Sequence, residues 1–179
     1  MKKNVLVLSS SPRRGGNSDL LCDQFVIGAT ESGHRVEKIF LKDKKINYCT
    51  GCGTCFNRDK SCPQKDNMTE ILEKMVVADV IVMATPVYFY TMCGQMKTLI
   101  DRTCSRYTEI SDTDFYFIAT AADDNKQAIE RTLNEFRGFT SCLSNPKEKG
   151  VVYGTNAWNK GEITGKPAMK EAYQMGISI

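Results

Sequence analysis

A repeated alternation constrains this chain more than any other feature: short apolar runs separated by stretches with helical spacing. Residues 3–9 (KNVLVLS), 79–84 (DVIVMA) and 114–120 (DFYFIAT) are almost continuously apolar. Strands read this way when both faces of their sheet are covered. Residues 35–41 (RVEKIFL) and 150–153 predict two more strands. Helices are expected over 17–32, 68–77, 94–102, 125–142 and 167–176. In the first, Leu20, Leu21, Gln24, Phe25 and Ala29 form the expected inner stripe, and Gly33 suits its stop. Asn67 is placed to cap the second helix, and Pro167 to open the last. Residues 42–66 have no clean periodicity, and residues 85–92 and 156–166 read as loops.

Strand–helix alternation predicts an α/β three-layer sandwich. Five strands fit a parallel sheet in the flavodoxin-like order 2-1-3-4-5, with a cysteine-rich loop after strand two. The 179 residues suit a single domain, 1–179. Ligands of such sheets sit beyond the carboxyl ends of the strands, at the switch point. Here that crevice falls between the loops after strands one and three.

Charge and hydropathy exclude several classes. The net charge is +3, and the basic residues are scattered apart from Arg13–Arg14 and residues 42–45, so nucleic acid is not an expected partner. No apolar run approaches the roughly 20 residues of a membrane span. The N-terminal apolar run is too short for a secretory signal, which needs about 7–15 residues. A cytoplasmic chain is expected.

The loop after strand one reads Ser9-Ser10-Ser11-Pro12-Arg13-Arg14-Gly15-Gly16-Asn17-Ser18 and leads into a helix. Helix N-termini present unpaired N–H groups and partial positive charge, an anion site. Ser11, Arg13, Asn17 and Ser18 add donors, and Gly16 lets backbone approach closely. Neither the Walker pattern nor G-x-G-x-x-G is present, so a phosphate monoester is favoured. The plainer alternative is a capped loop whose polar groups satisfy only the helix end. The loop after strand three, Thr85-Pro86-Val87-Tyr88-Phe89-Tyr90, offers aromatics and backbone groups suited to a flat heterocycle. Alternatively, its aromatics pack against the sheet or a partner subunit. Residues 121–125 are a candidate third wall.

The motif S-S-P-R-x-x-G-N-S resembles the phosphate loop of the NAD(P)H-dependent FMN reductases and of the related iron–sulfur flavoproteins. Ser10 stands where that family usually has glycine. The later pattern of Pro-Val-Tyr followed by Lys97, Asp101 and Arg102 resembles the same family's second flavin loop. The resemblance implies that Ser11, Arg13, Asn17 and Ser18 hold the FMN phosphate, beside the close backbone approach expected at Gly16. It implies Thr85, Pro86, Val87, Tyr88 and Phe89 as flavin neighbours. Lys97, Asp101 and Arg102 are expected in helix packing or an intersubunit salt bridge. A homodimer or tetramer is implied as well.

Eight cysteines are present. Cys22, Cys93, Cys104 and Cys142 are dispersed and expected to be buried as small apolar residues. The others form Cys49-x2-Cys52-x2-Cys55-x6-Cys62, followed by Pro63. Closely spaced thiolates suit soft metals. The pattern resembles the 4Fe–4S loop of the iron–sulfur flavoproteins, which implies these four as ligands; zinc and free thiols stay open. His34, the one histidine, reads as a surface turn residue.

The function these features predict is an FMN-dependent oxidoreductase. Electrons would come from NAD(P)H or a ferredoxin-like donor and pass to a small-molecule or protein acceptor, with 4Fe–4S as a relay. No protein acid or base is required, because the flavin carries the chemistry. The competing classes are a non-catalytic flavin-binding redox sensor with a cysteine switch, and a zinc-stabilised interaction protein.

Overall fold

The computed structural model describes residues 1–56 and 61–179. Its elements run β1 (Asn4–Ser9), α1 (Asn17–Glu31), β2 (Arg35–Phe40), α2 (Met68–Val76), β3 (Val80–Tyr88), β4 (Thr91–Met92), α3 (Gly94–Arg102), β5 (Asp114–Thr120), α4 (Lys126–Thr140), β6 (Lys147–Gly154) and α5 (Pro167–Ile177). Five strands are parallel in the order β2-β1-β3-β5-β6, which is the expected topology. The sheet has six strands rather than five, because two-residue β4 folds back antiparallel on β3.

Alternate residues of β1 point to opposite faces, as strand geometry requires. Leu6 and Leu8 join a core with Ile71, Met75, Phe117 and Phe136 beneath α2, α3 and α4. Val5 and Val7 join a second core with Leu21, Phe25 and Ala172 beneath α1 and α5. Leu20 and Gln24, expected on the inner stripe of α1, are only half-buried; Cys22 and Gly28 take the inward places. Burial pushes the Cys22 thiol up to about 12, so it is an inert core group.

Helices α1 and α5 touch backbone to backbone. A Cβ on Gly28 would stand 2.2 Å from the Tyr173 carbonyl oxygen, and one on Gly176 would stand 2.3 Å from that of Phe25. Two glycines therefore set this spacing.

Two expectations near the strand ends are corrected. Residues 85–88 continue β3 instead of forming a loop, and Tyr88 pairs with Thr91. Phe89 and Tyr90 make the turn with φ of 51° and 62°. Such turns normally use Asn or Gly, so no local signal marked the hairpin. Asn67 occupies the cap position of α2 as expected, but its side chain makes no capping bond: it accepts the Lys45 N–H, while Asp66 accepts the Met68 N–H. Among the described residues, no helix is long and apolar enough to cross a membrane.

Candidate functional site

In-register pairing brings Ser9 beside Ala84, Pro86 beside Thr120 and Thr120 beside Gly154. The loops after β1, β3, β5 and β6 thus meet at one sheet end. They enclose a cavity of about 360 Å³ lined by Ser11, Pro12, Arg13, Asn17, Ser18, Pro86, Val87, Tyr88, Thr120, Ala121, Ala122, Ala157 and Trp158. A neighbouring cavity of about 440 Å³ shares Val87, Ala121, Ala122 and Trp158 and adds Phe89, Tyr90, Asp123 and Ala128.

One end of the first cavity is built for an anion. Helix α1 has no side-chain cap, so its first N–H groups stay open toward a ligand. The Ser18 side chain is buried, and its Oγ has no hydrogen-bond partner among the described residues. Gly16 leaves the space clear: a Cβ there would stand 2.6 Å from Ser11 Oγ and 2.8 Å from the Arg13 carbonyl oxygen. Arg13 lines the cavity, whereas Arg14 turns away, its guanidinium 4.5 Å above the Phe40 ring.

The other polar residues of the loop hold it in shape. Ser11 Oγ donates to the Arg13 carbonyl at 2.9 Å and accepts the Arg13 N–H. Ser10, fully buried, donates from both N–H and Oγ to the Ala84 carbonyl and so ties the loop to β3. Asn17 differs from expectation. Its Nδ2 donates to the carbonyls of Ala157 and Asn159, and its Oδ1 accepts the Ile163 N–H. Its amide is therefore consumed in docking the loop after β6, and α1 offers the ligand a backbone N–H there instead.

Sequence reasoning missed three residues. Asp19 accepts hydrogen bonds from Ser9 Oγ and the Gly15 N–H, both at 2.8 Å, and pairs with Lys38 at 2.6 Å. Burial works against its charge, yet Lys38 and these donors hold it below the usual carboxylate range. The Lys160 ammonium lies 3.9 Å from where a Gly15 Cβ would stand, so it adds positive charge beside the loop. Trp158, largely exposed, walls both cavities. The only available signal was a Gly- and Asn-rich loop, which does not say where it folds.

Thr85, expected as a flavin neighbour, lines neither cavity. It is fully buried, and its Oγ1 accepts the Cys93 N–H at 3.0 Å. Pro86, Val87 and Tyr88 do line the first cavity, and Phe89 the second.

The cysteine-rich loop hangs between β2 and α2. Arg102 anchors it from within the same chain: its guanidinium donates to Asp66 at 2.7 and 3.1 Å and to the Asn47 carbonyl at 2.6 Å. Both partners of this pair are buried, so Arg102 has a packing role within its own chain. Burial opposes the Asp66 charge, but Arg102 and the N–H groups of Asn47 and Met68 keep it below the usual range. Lys97 and Asp101 pair with each other on the exposed face of α3.

Cys49 and Cys52 are exposed, Cys55 and Cys62 half-buried, and none is in a disulfide. Among the described residues, no three or more His, Cys, Asp or Glu side chains gather on a metal-sized site, so the expected convergence is not seen there. Residues 57–60, between Cys55 and Cys62, lie outside the described residues. The hydroxyl and N–H of Thr54 lower the Cys52 thiol. Two of the dispersed cysteines are not buried. Cys142 is exposed, and half-buried Cys104 sits on the turn Thr103–Ser105, which packs against the turn Thr54–Phe56 that carries Cys55. Burial first, then Cys55 and Cys49, raise the Cys104 thiol.

The family model described as NADPH-dependent FMN reductase matches residues 3–143. The chain belongs to that family. An iron-sulfur flavoprotein of Archaeoglobus fulgidus is 44% identical over 92 residues, 51% of this chain and 41% of that one. Another, from Methanosarcina thermophila, is 37% identical over 95 residues, 53% of this chain and 49% of that one. This FMN reductase family member thus spans about half the length of the curated relatives it matches. An FMN-dependent NADH-azoreductase of Bacillus anthracis, solved in complex with FMN, superposes with a TM-score of 0.75 at 14% identity, covering 97% of each chain. The Trp repressor binding protein of Bacillus subtilis gives 0.71 at 23% identity, covering 97% of this chain and 98% of that one. These two likenesses show the fold.

Proposed function

We propose that this chain is an NAD(P)H-dependent FMN oxidoreductase whose flavin lies at the switch point. The observation that carries this is the anion cradle opening into the 360 Å³ cavity: an uncapped helix start, a cleared glycine and an orphaned buried hydroxyl. Family membership supports FMN as the occupant.

FMN supplies the chemistry when bound, accepting a hydride and releasing electrons in pairs or singly. The chain binds and orients. Open N–H groups of α1 and the Ser18 hydroxyl donate to the phosphate oxygens, while Arg13 and Lys160 offset its charge. Pro86, Val87, Ala121 and Ala122 present apolar surface to the ring system and exclude water there. The second cavity, with Phe89, Tyr90 and Trp158, leaves room for a nicotinamide donor or a flat acceptor. Both turn aromatics hold strained backbone, a feature that clusters at ligand sites.

We further infer that Cys49, Cys52, Cys55 and Cys62 hold a 4Fe–4S cluster. An all-thiolate set has the right softness, and the names of the relatives support it. A ferredoxin-like protein is then an alternative donor, and a small molecule or a protein the acceptor. Exposed Tyr88, Phe89, Tyr90 and Trp158 at the cavity mouth favour a homodimer or tetramer in which a second copy covers them, and the cytoplasm is its place in this reading.

Anaerobically purified chain tests this. Flavin absorption that bleaches with NADH or NADPH and returns with a quinone or dye is the expected result. A flavin-loaded chain that neither nicotinamide reduces contradicts the NAD(P)H assignment. Iron and sulfide in equal amounts are expected with the cluster, and their absence contradicts it.

A further inference from the structure

The flavin site leaves Cys104 without a task. It belongs to the 3₁₀ turn Thr103–Ser105 that closes α3, and the 3₁₀ turn Thr54–Phe56 packs against it. Across that contact Cys104 and Cys55 are neighbours, one on each turn, both half-buried and both reduced. The two backbone segments are held together independently of the thiols. Arg102, two residues before Cys104, is clamped to Asp66 and to the Asn47 carbonyl at the start of the cysteine loop. A disulfide needs sulfurs about 2.05 Å apart with Cβ atoms roughly 3.5–4.5 Å apart. Neighbouring thiols on two packed turns reach this by side-chain rotation.

We propose that Cys55 and Cys104 form a thiol–disulfide couple, closed by a low-molecular-weight disulfide of the glutathione type when the cysteine loop holds no metal. One protein thiolate attacks the small disulfide, whose S–S bond breaks and releases one thiolate. The second protein thiolate attacks the resulting mixed disulfide, forming the Cys55–Cys104 bond and expelling the other small thiolate. Two protein thiols and one small disulfide give one protein disulfide and two small thiols. The closed form withdraws Cys55 from any metal-binding set, so the redox state of the pair gates metal loading of the loop.

The test uses the full chain, reduced and dialysed anaerobically against chelator, then exposed to oxidised glutathione. Remaining thiols are alkylated, and the protein is digested with trypsin without reduction. The expected product is the peptide of residues 103–106 (TCSR) cross-linked to that of residues 46–58, with fragmentation placing the bond on Cys55. Cys52→Ser should give the same cross-link in the same yield. Recovery of Cys104 as an alkylated thiol or as a glutathione adduct only, or a bond from Cys104 to Cys49, overturns the proposal. Circular dichroism of both proteins confirms that they are folded, and no flavin signal enters the readout.

Discussion

At the scale of single residues, Ser18 is where the anion site is most easily probed. Its buried hydroxyl has no partner among the described residues and is placed to donate to a phosphate. Hydrogen bonds to charged groups contribute about 1.5–3 kcal/mol. Ser18→Ala should therefore weaken FMN binding at least tenfold in a flavin-fluorescence titration while leaving thermal stability unchanged. Gly16→Ala should act more harshly, because its Cβ meets a backbone carbonyl that cannot move away. The identities of these residues were legible in the loop after β1, but their division of labour was not. Asn17 and Ser18 are adjacent polar residues at a helix start. Only the fold of residues 156–163, distant in sequence, decides that Asn17 is spent on Ala157, Asn159 and Ile163 while Ser18 stays open. Asp19 was hidden for the same reason, since Lys38 comes from the next strand.

At the scale of elements, two contacts hold the frame of the site. The first is the α1–α5 contact. Gly28→Ala forces a methyl to within 2.2 Å of a carbonyl oxygen, and overpacking of this kind costs typically 1–3 kcal/mol. Its melting temperature should fall by several degrees. The second is the Arg102–Asp66 pair between α3 and the cysteine loop. Removing one partner of a buried pair costs about 3–5 kcal/mol, so Asp66→Asn should lower the urea midpoint markedly at neutral pH. Because Asp66 and Asp19 have lowered pKa values in the folded chain, their stabilisation is complete above the ordinary carboxylate range, near 4. It is lost as pH falls through their lowered values. The wild-type urea midpoint should therefore drop as the pH falls below about 4, and Asp66→Asn should show a smaller drop. Long periodic elements such as α4 were readable because their apolar spacing is local. The hairpin of β3 with β4 was not, because Phe89 and Tyr90 adopt positive φ without the residues that normally announce it.

At the scale of the whole molecule, sheet order follows from β–α alternation, and sheet order alone places the loops after β1 and β3 together. Hence the switch-point crevice could be located from sequence, while its far wall could not. Ala157 and Trp158 reach it from a loop with no periodic signal. The cysteine spacing likewise showed four sulfurs near one another along the chain. Cys104 arrives beside them only through packing of the turn after α3.

The most direct test is an anaerobic titration of the flavin-free chain with FMN and, in parallel, with riboflavin, followed by flavin fluorescence. A phosphate seated on the start of α1 predicts that FMN binds at least a hundredfold more tightly than riboflavin, and that inorganic phosphate competes. Equal affinity for the two flavins, or binding of neither, would contradict an FMN site at the switch point.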